Sequence, residues 1–134
     1  MVMKGSCLCG AVTYEVDTSI EKVVHCHCQT CRKAQGSLFS SNAFIPREHF
    51  RWTAGEEKLS AFESSPGKRR YFCSVCGSHL VAMREGQPNV ILRVPTLDGH
   101  PSPSSFAHIW TSHDLLWMEC GDDVPKYPEF IPGD

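Results

Sequence analysis

Cysteine is the residue type whose spacing in this sequence points most clearly to chemistry. Seven of the eight cysteines fall in three short clusters: Cys7-Leu8-Cys9, Cys26-His27-Cys28-Gln29-Thr30-Cys31 and Cys73-Ser74-Val75-Cys76. Two thiolates separated by one or two residues can reach the same ion, and sulfur is a preferred ligand of zinc. The clusters therefore predict a protein that binds zinc through thiolates.

The first and third clusters are each followed by a glycine, Gly10 and Gly77. Glycine accepts the positive φ of a tight turn in which backbone N–H groups point at the sulfurs. We expect the cysteines of these two clusters to form one tetrahedral site: Cys7, Cys9, Cys73 and Cys76. Structural zinc contributes an apparent binding free energy of about 10–16 kcal/mol, which is comparable to the whole stability of a domain.

The middle cluster offers three sulfurs, those of Cys26, Cys28 and Cys31. Three protein ligands leave the fourth corner of a zinc tetrahedron to water or a substrate, and this open corner distinguishes catalytic from structural zinc. The sequence thus predicts two zinc ions per chain, one in a closed site and one in an open, reactive site.

Spacing alone leaves alternatives to this arrangement open. The clusters can pair differently, or a fourth side chain can close the middle site and make it inert: Cys120, His25 or His27. Eight cysteines could also form four disulfides. The N-terminus has no apolar stretch long enough for a signal peptide, so we expect a reducing cytoplasm, where closely spaced cysteines usually bind metal.

Length and composition limit the remaining possibilities. A chain of 134 residues predicts a single domain, residues 1–134, and 41% hydrophobic residues are typical of a globular protein. The net charge of −2 gives no electrostatic reason to expect a nucleic acid or an anionic membrane as partner. No apolar run approaches the length of a membrane span. We therefore expect a small-molecule partner, and nothing in the sequence indicates the oligomeric state.

The elements that carry the clusters are predicted to be short β-strands separated by turn residues. Residues 11–16 alternate, with Val12, Tyr14 and Val16 on one face. The further predicted strands are Lys22–His25, Leu38–Ile45, Lys58–Phe62, Arg69–Cys73, His79–Arg84, Asn89–Val94 and Phe106–Trp110. One short helix is predicted at Gln29–Gln35, ending at Gly36, and the proline-containing stretch from Asp122 onward predicts an irregular tail. The fold class is mainly β with little helix.

Three segments taken together identify a resemblance that covers nearly the whole chain. They are GSCLCGAVTYE at residues 5–15, CHCQTCRK at residues 26–33 and FCSVCG at residues 72–77, with weaker closing motifs at 108–110 and 122–125. In this order they closely resemble the glutathione-dependent formaldehyde-activating enzyme family, which includes centromere protein V. The combination of three clusters is far more specific than a single C-x-x-C.

This resemblance implies a single-domain β-tent of short antiparallel sheets stapled by zinc. It implies that the four cysteines of the first and third clusters hold structural zinc, and that Cys26, Cys28 and Cys31 hold the reactive zinc. Members of the family are carbon–sulfur lyases, and the activity that names the family condenses glutathione with formaldehyde to S-(hydroxymethyl)glutathione. The chain is shorter than the formaldehyde-linked members, which leaves the thiol substrate open.

The charge of the middle site favours thiol chemistry. Three thiolates on Zn²⁺ sum to −1, so the ion is a weak Lewis acid that holds a nucleophilic sulfur better than it activates an amide. We therefore expect an enzyme that acts on a small thiol adduct, with glutathione as the first candidate. The alternative function is a non-catalytic, zinc-structured module that binds glutathione or a protein.

Charged neighbours of the middle cluster are candidates for substrate binding. Arg32 and Lys33 follow it directly and could bind substrate carboxylates, or they could be two solvated cations on a helical turn. His25 and His27 flank its first cysteine. They could donate to the sulfurs or shuttle protons, or they could simply be packed.

Overall fold

The computed structural model describes residues 2–99, 103–119 and 121–133. Within these ranges the chain forms ten strands and one α-helix, α1 at Gln29–Gln35. The strands are β1 Met3–Ser6, β2 Thr13–Val16, β3 Lys22–Cys26, β4 Ser40–Pro46, β5 Phe50–Ala54, β6 Leu59–Ser65, β7 Lys68–Cys73, β8 His79–Arg84, β9 Asn89–Arg93 and β10 Ser104–Ile109. The fold is mainly β, as the sequence predicts. Cys120 lies outside the described residues.

The chain divides into two compact units, each built from two separate stretches of sequence. Residues 1–20 and 43–102 form the first unit, and residues 21–42 and 103–134 form the second. Strand β4 belongs to both, because its residues 40–42 lie in the second unit and 43–46 in the first.

The first unit contains antiparallel strands. β1, β2 and β5 form a three-stranded sheet in which Gly5 is opposite Tyr14 and Tyr14 is opposite Trp52. Strands β4, β9, β8, β7 and β6 lie side by side in that order, and the pairs from β9 to β6 are antiparallel. β1 and β5 are strands that the sequence analysis did not predict.

The core of the first unit confirms the predicted alternation of residues 11–16. Val12, Tyr14 and Val16 are fully buried and pack in one cluster with Leu80 of β8 and Leu92 of β9. Each large apolar side chain buried in this way contributes about 1.5–3 kcal/mol.

The second unit places β3 between β4 and β10. β3 pairs antiparallel with β4 and parallel with β10, so that His25 is opposite His108 and Cys26 is opposite Ile109. The parallel pair is an addition to the antiparallel sheets that were predicted. Parallel neighbours require a long connection instead of a tight turn, and here the two strands come from opposite ends of the sequence.

Helix α1 follows β3 after two residues and ends where it was predicted to end. Cys28 is its N-cap, and Gly36 terminates it in the left-handed conformation, with φ of 60°. The helix has seven residues. In the part of the chain that the structure describes, no helix combines the length and apolar character that crossing a bilayer would need.

Candidate metal centres

Four sulfurs converge in the first unit, and they belong to the first and third cysteine clusters: Cys7, Cys9, Cys73 and Cys76. All four Sγ atoms lie within 4.8 Å of one another. The Sγ atom of Cys9 is 3.6 Å from that of Cys7 and 3.8 Å from that of Cys73. Zinc–sulfur bonds of about 2.3 Å give a tetrahedron with edges of about 3.8 Å. The two distances from Cys9 match this edge, so the four sulfurs are close enough together to hold one metal ion.

Two tight turns aim these sulfurs at each other. The N–H of Gly10 donates to the carbonyl of Cys7 at 3.1 Å, and the N–H of Gly77 donates to that of Cys73 at 2.8 Å. Both glycines have φ near +80°, at 79° and 82°, where a residue with a Cβ would be strained. The N–H of Val12 donates to the Cys7 sulfur at 3.3 Å. These are the turns that the cysteine–glycine spacing predicts.

The Ser78 hydroxyl joins the two turns. It accepts from the N–H of Leu8 at 3.0 Å and lies 3.3 Å from the Cys76 sulfur. Hydrogen bonds from the side chain and backbone of Ser78 lower the pKa of Cys76 to about 5. This favours the thiolate, which is the form that binds metal. Ser78 was not among the predicted site residues, although its place directly after C-x-x-C-G was a usable signal.

Three sulfurs converge in the second unit, those of Cys26, Cys28 and Cys31. Cys26 ends β3, Cys28 caps α1 and accepts the N–H of Cys31 on its sulfur at 3.3 Å, and Cys31 lies in the first helical turn. Hydrogen bonding to the other two sulfurs, together with burial, raises the pKa of Cys26. A bound cation would relieve this crowding of ionisable sulfurs. The seven described cysteines are all free thiols, so the described chain holds no disulfide.

No fourth ligand joins the three-sulfur cluster from the residues described. Among the described residues, the only His, Cys, Asp or Glu ligand atoms that lie within 4.8 Å of one another there are the sulfurs of these three cysteines. His25, one of the side chains considered for closing the site, bonds through Nδ1 to Ser41 at 2.9 Å and through Nε2 to Ser105 at 3.0 Å. Of the other two candidates, Cys120 is outside the described residues, and His27 has partners of its own.

His27 is fully buried and belongs to a chain of four ionisable side chains. Its Nδ1 lies 2.5 Å from Asp114 Oδ1, and its Nε2 lies 2.7 Å from His108 Nδ1. His108 Nε2 lies 3.0 Å from Asp122 Oδ2. We call these four residues the imidazole–carboxylate chain. His108 and Asp122 lie within the closing motifs noted in the sequence, whereas Asp114 was not among the predicted site residues.

The two cationic residues that follow the three-sulfur cluster, Arg32 and Lys33, lie on α1, as predicted, but in different surroundings. Arg32 donates through Nη2 to the carbonyl of His113 at 3.3 Å, while its buried Nε has no hydrogen-bond partner among the described residues. The Nδ1 atom of His113 accepts the N–H of Gln29, the first residue of α1, at 3.1 Å. Lys33 is exposed to solvent.

Comparisons with known proteins agree with this geometry. The model of the glutathione-dependent formaldehyde-activating enzyme family matches residues 2–113. A Podospora anserina protein is 38% identical over 129 residues, which cover 93% of this chain and 52% of that protein. A Penicillium rubens protein is 31% identical over 129 residues, covering 93% and 58% respectively. Both carry the provisional name glutathione-dependent formaldehyde-activating enzyme.

A solved structure is also similar. The crystal structure of a Rhodobacter sphaeroides protein, a structural genomics target, superposes with a TM-score of 0.63 at 28% sequence identity, covering 73% of this chain and 90% of that one. The chain spans between half and three-fifths of the length of the two fungal relatives. Since the family model covers most of the sequence and the cysteine clusters assemble as the resemblance implies, the chain belongs to the glutathione-dependent formaldehyde-activating enzyme family.

Proposed function

We propose that this chain is a zinc-dependent enzyme of the carbon–sulfur lyase type, which joins a small thiol to an aldehyde or separates the two. Glutathione and formaldehyde are the first substrates to test, because family membership and the names of the fungal relatives point to them. In this proposal residues 1–134 act as one zinc-binding domain in the cytoplasm and hold two zinc ions.

The observation that carries the proposal is the difference between the two sulfur clusters. The first unit gathers four sulfurs, while the second gathers three without a fourth ligand among the described residues. A complete set of four protein ligands is typical of structural zinc, and a set of three is typical of catalytic zinc. We therefore assign the structural role to the first cluster and the reactive role to Cys26, Cys28 and Cys31.

Zinc at the three-sulfur cluster would supply stabilisation of a thiolate, because a bound cation lowers the pKa of the sulfur that it contacts. The overall reaction needs no oxidant: a thiol S–H and an aldehyde C=O become a C–S bond and an O–H. Cys26, Cys28 and Cys31 contribute a soft, anionic environment that favours a sulfur ligand at the remaining corner.

Arg32 and Lys33 are proposed to bind the carboxylates of the thiol substrate, of which glutathione has two. Three facts support this role: both residues directly follow Cys31 on α1, Lys33 is exposed, and the Nε of Arg32 has no partner among the described residues. Hydrogen bonds between charged partners contribute about 1.5–3 kcal/mol when well formed. Loss of Arg32 should therefore weaken glutathione binding about tenfold or more.

Exchange NMR with ¹³C-formaldehyde and glutathione tests the reaction, since it measures how fast free aldehyde and thiol adduct interconvert at equilibrium. Wild-type protein should accelerate this exchange, and Cys28→Ser should not. Arg32→Gln should raise KM for glutathione, whereas Arg69→Gln should leave KM unchanged, since Arg69 is an exposed arginine of the first unit.

Cobalt substitution tests the open corner separately, because the absorption spectrum of Co²⁺ reports its ligands. Addition of glutathione should change the spectrum of the cobalt-loaded protein. A spectrum that ignores millimolar glutathione, cysteine and other small thiols would instead favour the non-catalytic module. A response to other thiols alone would keep the chemistry and reject glutathione.

A further inference from the structure

The residue between the first two cysteines of the three-sulfur cluster is held from two directions. The backbone N–H of His27 donates to the carbonyl of Ile109 in β10 at 2.9 Å. Its ring bonds through one nitrogen to Asp114 and through the other to His108. The short segment that presents two of the three sulfurs is therefore attached to β10 and to the segment that follows β10.

An imidazole is an unusual choice for such a buried position. His27 has no exposed surface, and the ring of Phe39 stacks on it with centroids 4.8 Å apart. An apolar side chain could fill this space without partners, whereas a buried imidazole costs free energy unless its nitrogens are hydrogen-bonded. Directional hydrogen bonds fix the orientation of a group, which apolar packing does less strictly. The choice of histidine therefore indicates that orientation matters here.

The imidazole–carboxylate chain extends this constraint away from the sulfurs. His108 is anchored at its far nitrogen by Asp122, and Asp122 is paired with Lys126 at 3.0 Å. The Asp114 side chain is 28% exposed and the Asp122 side chain is 45% exposed, so both ends of the imidazole–carboxylate chain reach the surface of the second unit.

We propose that Asp114 and His108 are positioning residues for the metal site at the three-sulfur cluster. By holding the ring of His27 they set the directions in which Cys26 and Cys28 present their sulfurs to one ion. The inference rests on the proposed function, because it takes the three sulfurs to be zinc ligands. Removal of residues that orient metal ligands typically lowers metal affinity 10- to 100-fold.

The test compares zinc affinities at the second cluster in Asp114→Ala and Asp114→Asn. Alanine removes the hydrogen-bond acceptor of His27, while asparagine keeps an acceptor oxygen at the same place and removes only the charge. The matched control is Asp17→Ala, which removes the carboxylate of another Asp–His pair, with His49 at 2.8 Å in the first unit. Competition with a chromophoric chelator measures the zinc affinities, the cobalt spectrum reports the geometry of the site, and thermal unfolding reports the fold.

Asp114→Ala should bind zinc at the second cluster about tenfold more weakly and change the cobalt spectrum, while the first zinc stays bound. Asp114→Asn should retain most of the wild-type affinity, and Asp17→Ala should retain all of it. A folded Asp114→Ala protein with wild-type affinity and spectrum would overturn the proposal. So would equal losses in the alanine and asparagine variants, because charge and not position would then matter.

A second variant covers the case in which Asp114→Ala does not fold. Asp122→Ala removes the exposed far end of the imidazole–carboxylate chain and should weaken second-site zinc binding about threefold. Wild-type affinity in that variant then overturns the proposal. A wild-type protein that holds a single zinc refutes the proposed function and this inference together, whereas two zincs with unresponsive variants refute only the inference.

Discussion

Serine in place of one cysteine in each cluster tests whether the two metal sites have different roles. Cys76→Ser removes a sulfur from the four-sulfur cluster, and Cys28→Ser removes one from the three-sulfur cluster. Both cysteines are partly exposed, and serine has nearly the same shape as cysteine. The two variants are therefore matched in burial and in the volume that they change.

The expected difference follows from how far apart in sequence the bridged cysteines are. A metal that holds two residues together restricts the unfolded chain by an amount that grows as 1.5RT ln n with the number of residues n between them. The first cluster joins Cys9 to Cys73, 64 positions apart. The second joins residues at most five positions apart, from Cys26 to Cys31. The difference, 1.5RT ln(64/5), is about 2 kcal/mol.

Loss of metal from the first cluster should thus destabilise the protein by about 2 kcal/mol more than loss from the second. For a chain of this size that corresponds to a Tm lower by about 8 °C. Calorimetric unfolding, with zinc content measured on the same samples, gives both quantities. Equal Tm values for Cys76→Ser and Cys28→Ser, each lacking one zinc, would refute the division into a structural and a reactive site.

Three further predictions concern single residues. Gly55→Ala should abolish folding or lower the free energy of unfolding by more than about 3 kcal/mol, because the added Cβ would lie 1.9 Å from the carbonyl oxygen of Ala11. Gly36 has a φ of +60° but open space around it, so Gly36→Ala should lower the free energy of unfolding, measured with urea, by only about 1 kcal/mol. Burial raises the pKa of Tyr14 above its ordinary value. Above about pH 10 the unfolded chain therefore loses a proton that the folded chain keeps, and stability should fall with rising pH unless Tyr14 is changed to Phe. Burial, reinforced by two nearby arginines, lowers the pKa of His79. Below about pH 6.5 this histidine binds a proton in the unfolded chain but not in the folded chain. The free energy of unfolding should therefore be lower at pH 5.5 than at pH 7.5, and His79→Gln should reduce this difference.

Local patterns in the sequence were enough to predict most of the strands; of the two that were missed, β1 depends on a non-local contact, whereas β5 carried a local signal that was overlooked. β1 contains Gly5, which weakens a strand in isolation. Its pairing with β2 is possible because position 5 has no Cβ: a Cβ there would lie 2.1 Å from the ring of Tyr14, and glycine leaves room for that ring. β5 alternates Phe50 and Trp52 with polar residues, and both aromatic rings pack against Tyr14. That alternation was a readable signal.

The candidate site likewise has a part that the local sequence predicts and a part that depends on contacts between distant residues. The sulfurs could be predicted, because each cluster brings two or three ligands together within one turn. The partners of His27 could not, since they are 81 and 87 positions away. Their meeting depends on the parallel pairing of β10 with β3, which neither hydrophobic alternation nor turn residues indicate.

The discontinuous second unit has a consequence for how the protein is made. Its two stretches, 21–42 and 103–134, leave the ribosome separately, with the last part of the first unit between them. The four-sulfur cluster is complete once Cys76 has emerged, whereas the three-sulfur cluster waits for β10 to supply its neighbours. Domains fold as units during synthesis, and pairings between distant segments form late. In a nascent chain, the three thiols of the second cluster therefore lack the neighbours that β10 supplies until residues 104–109 have emerged.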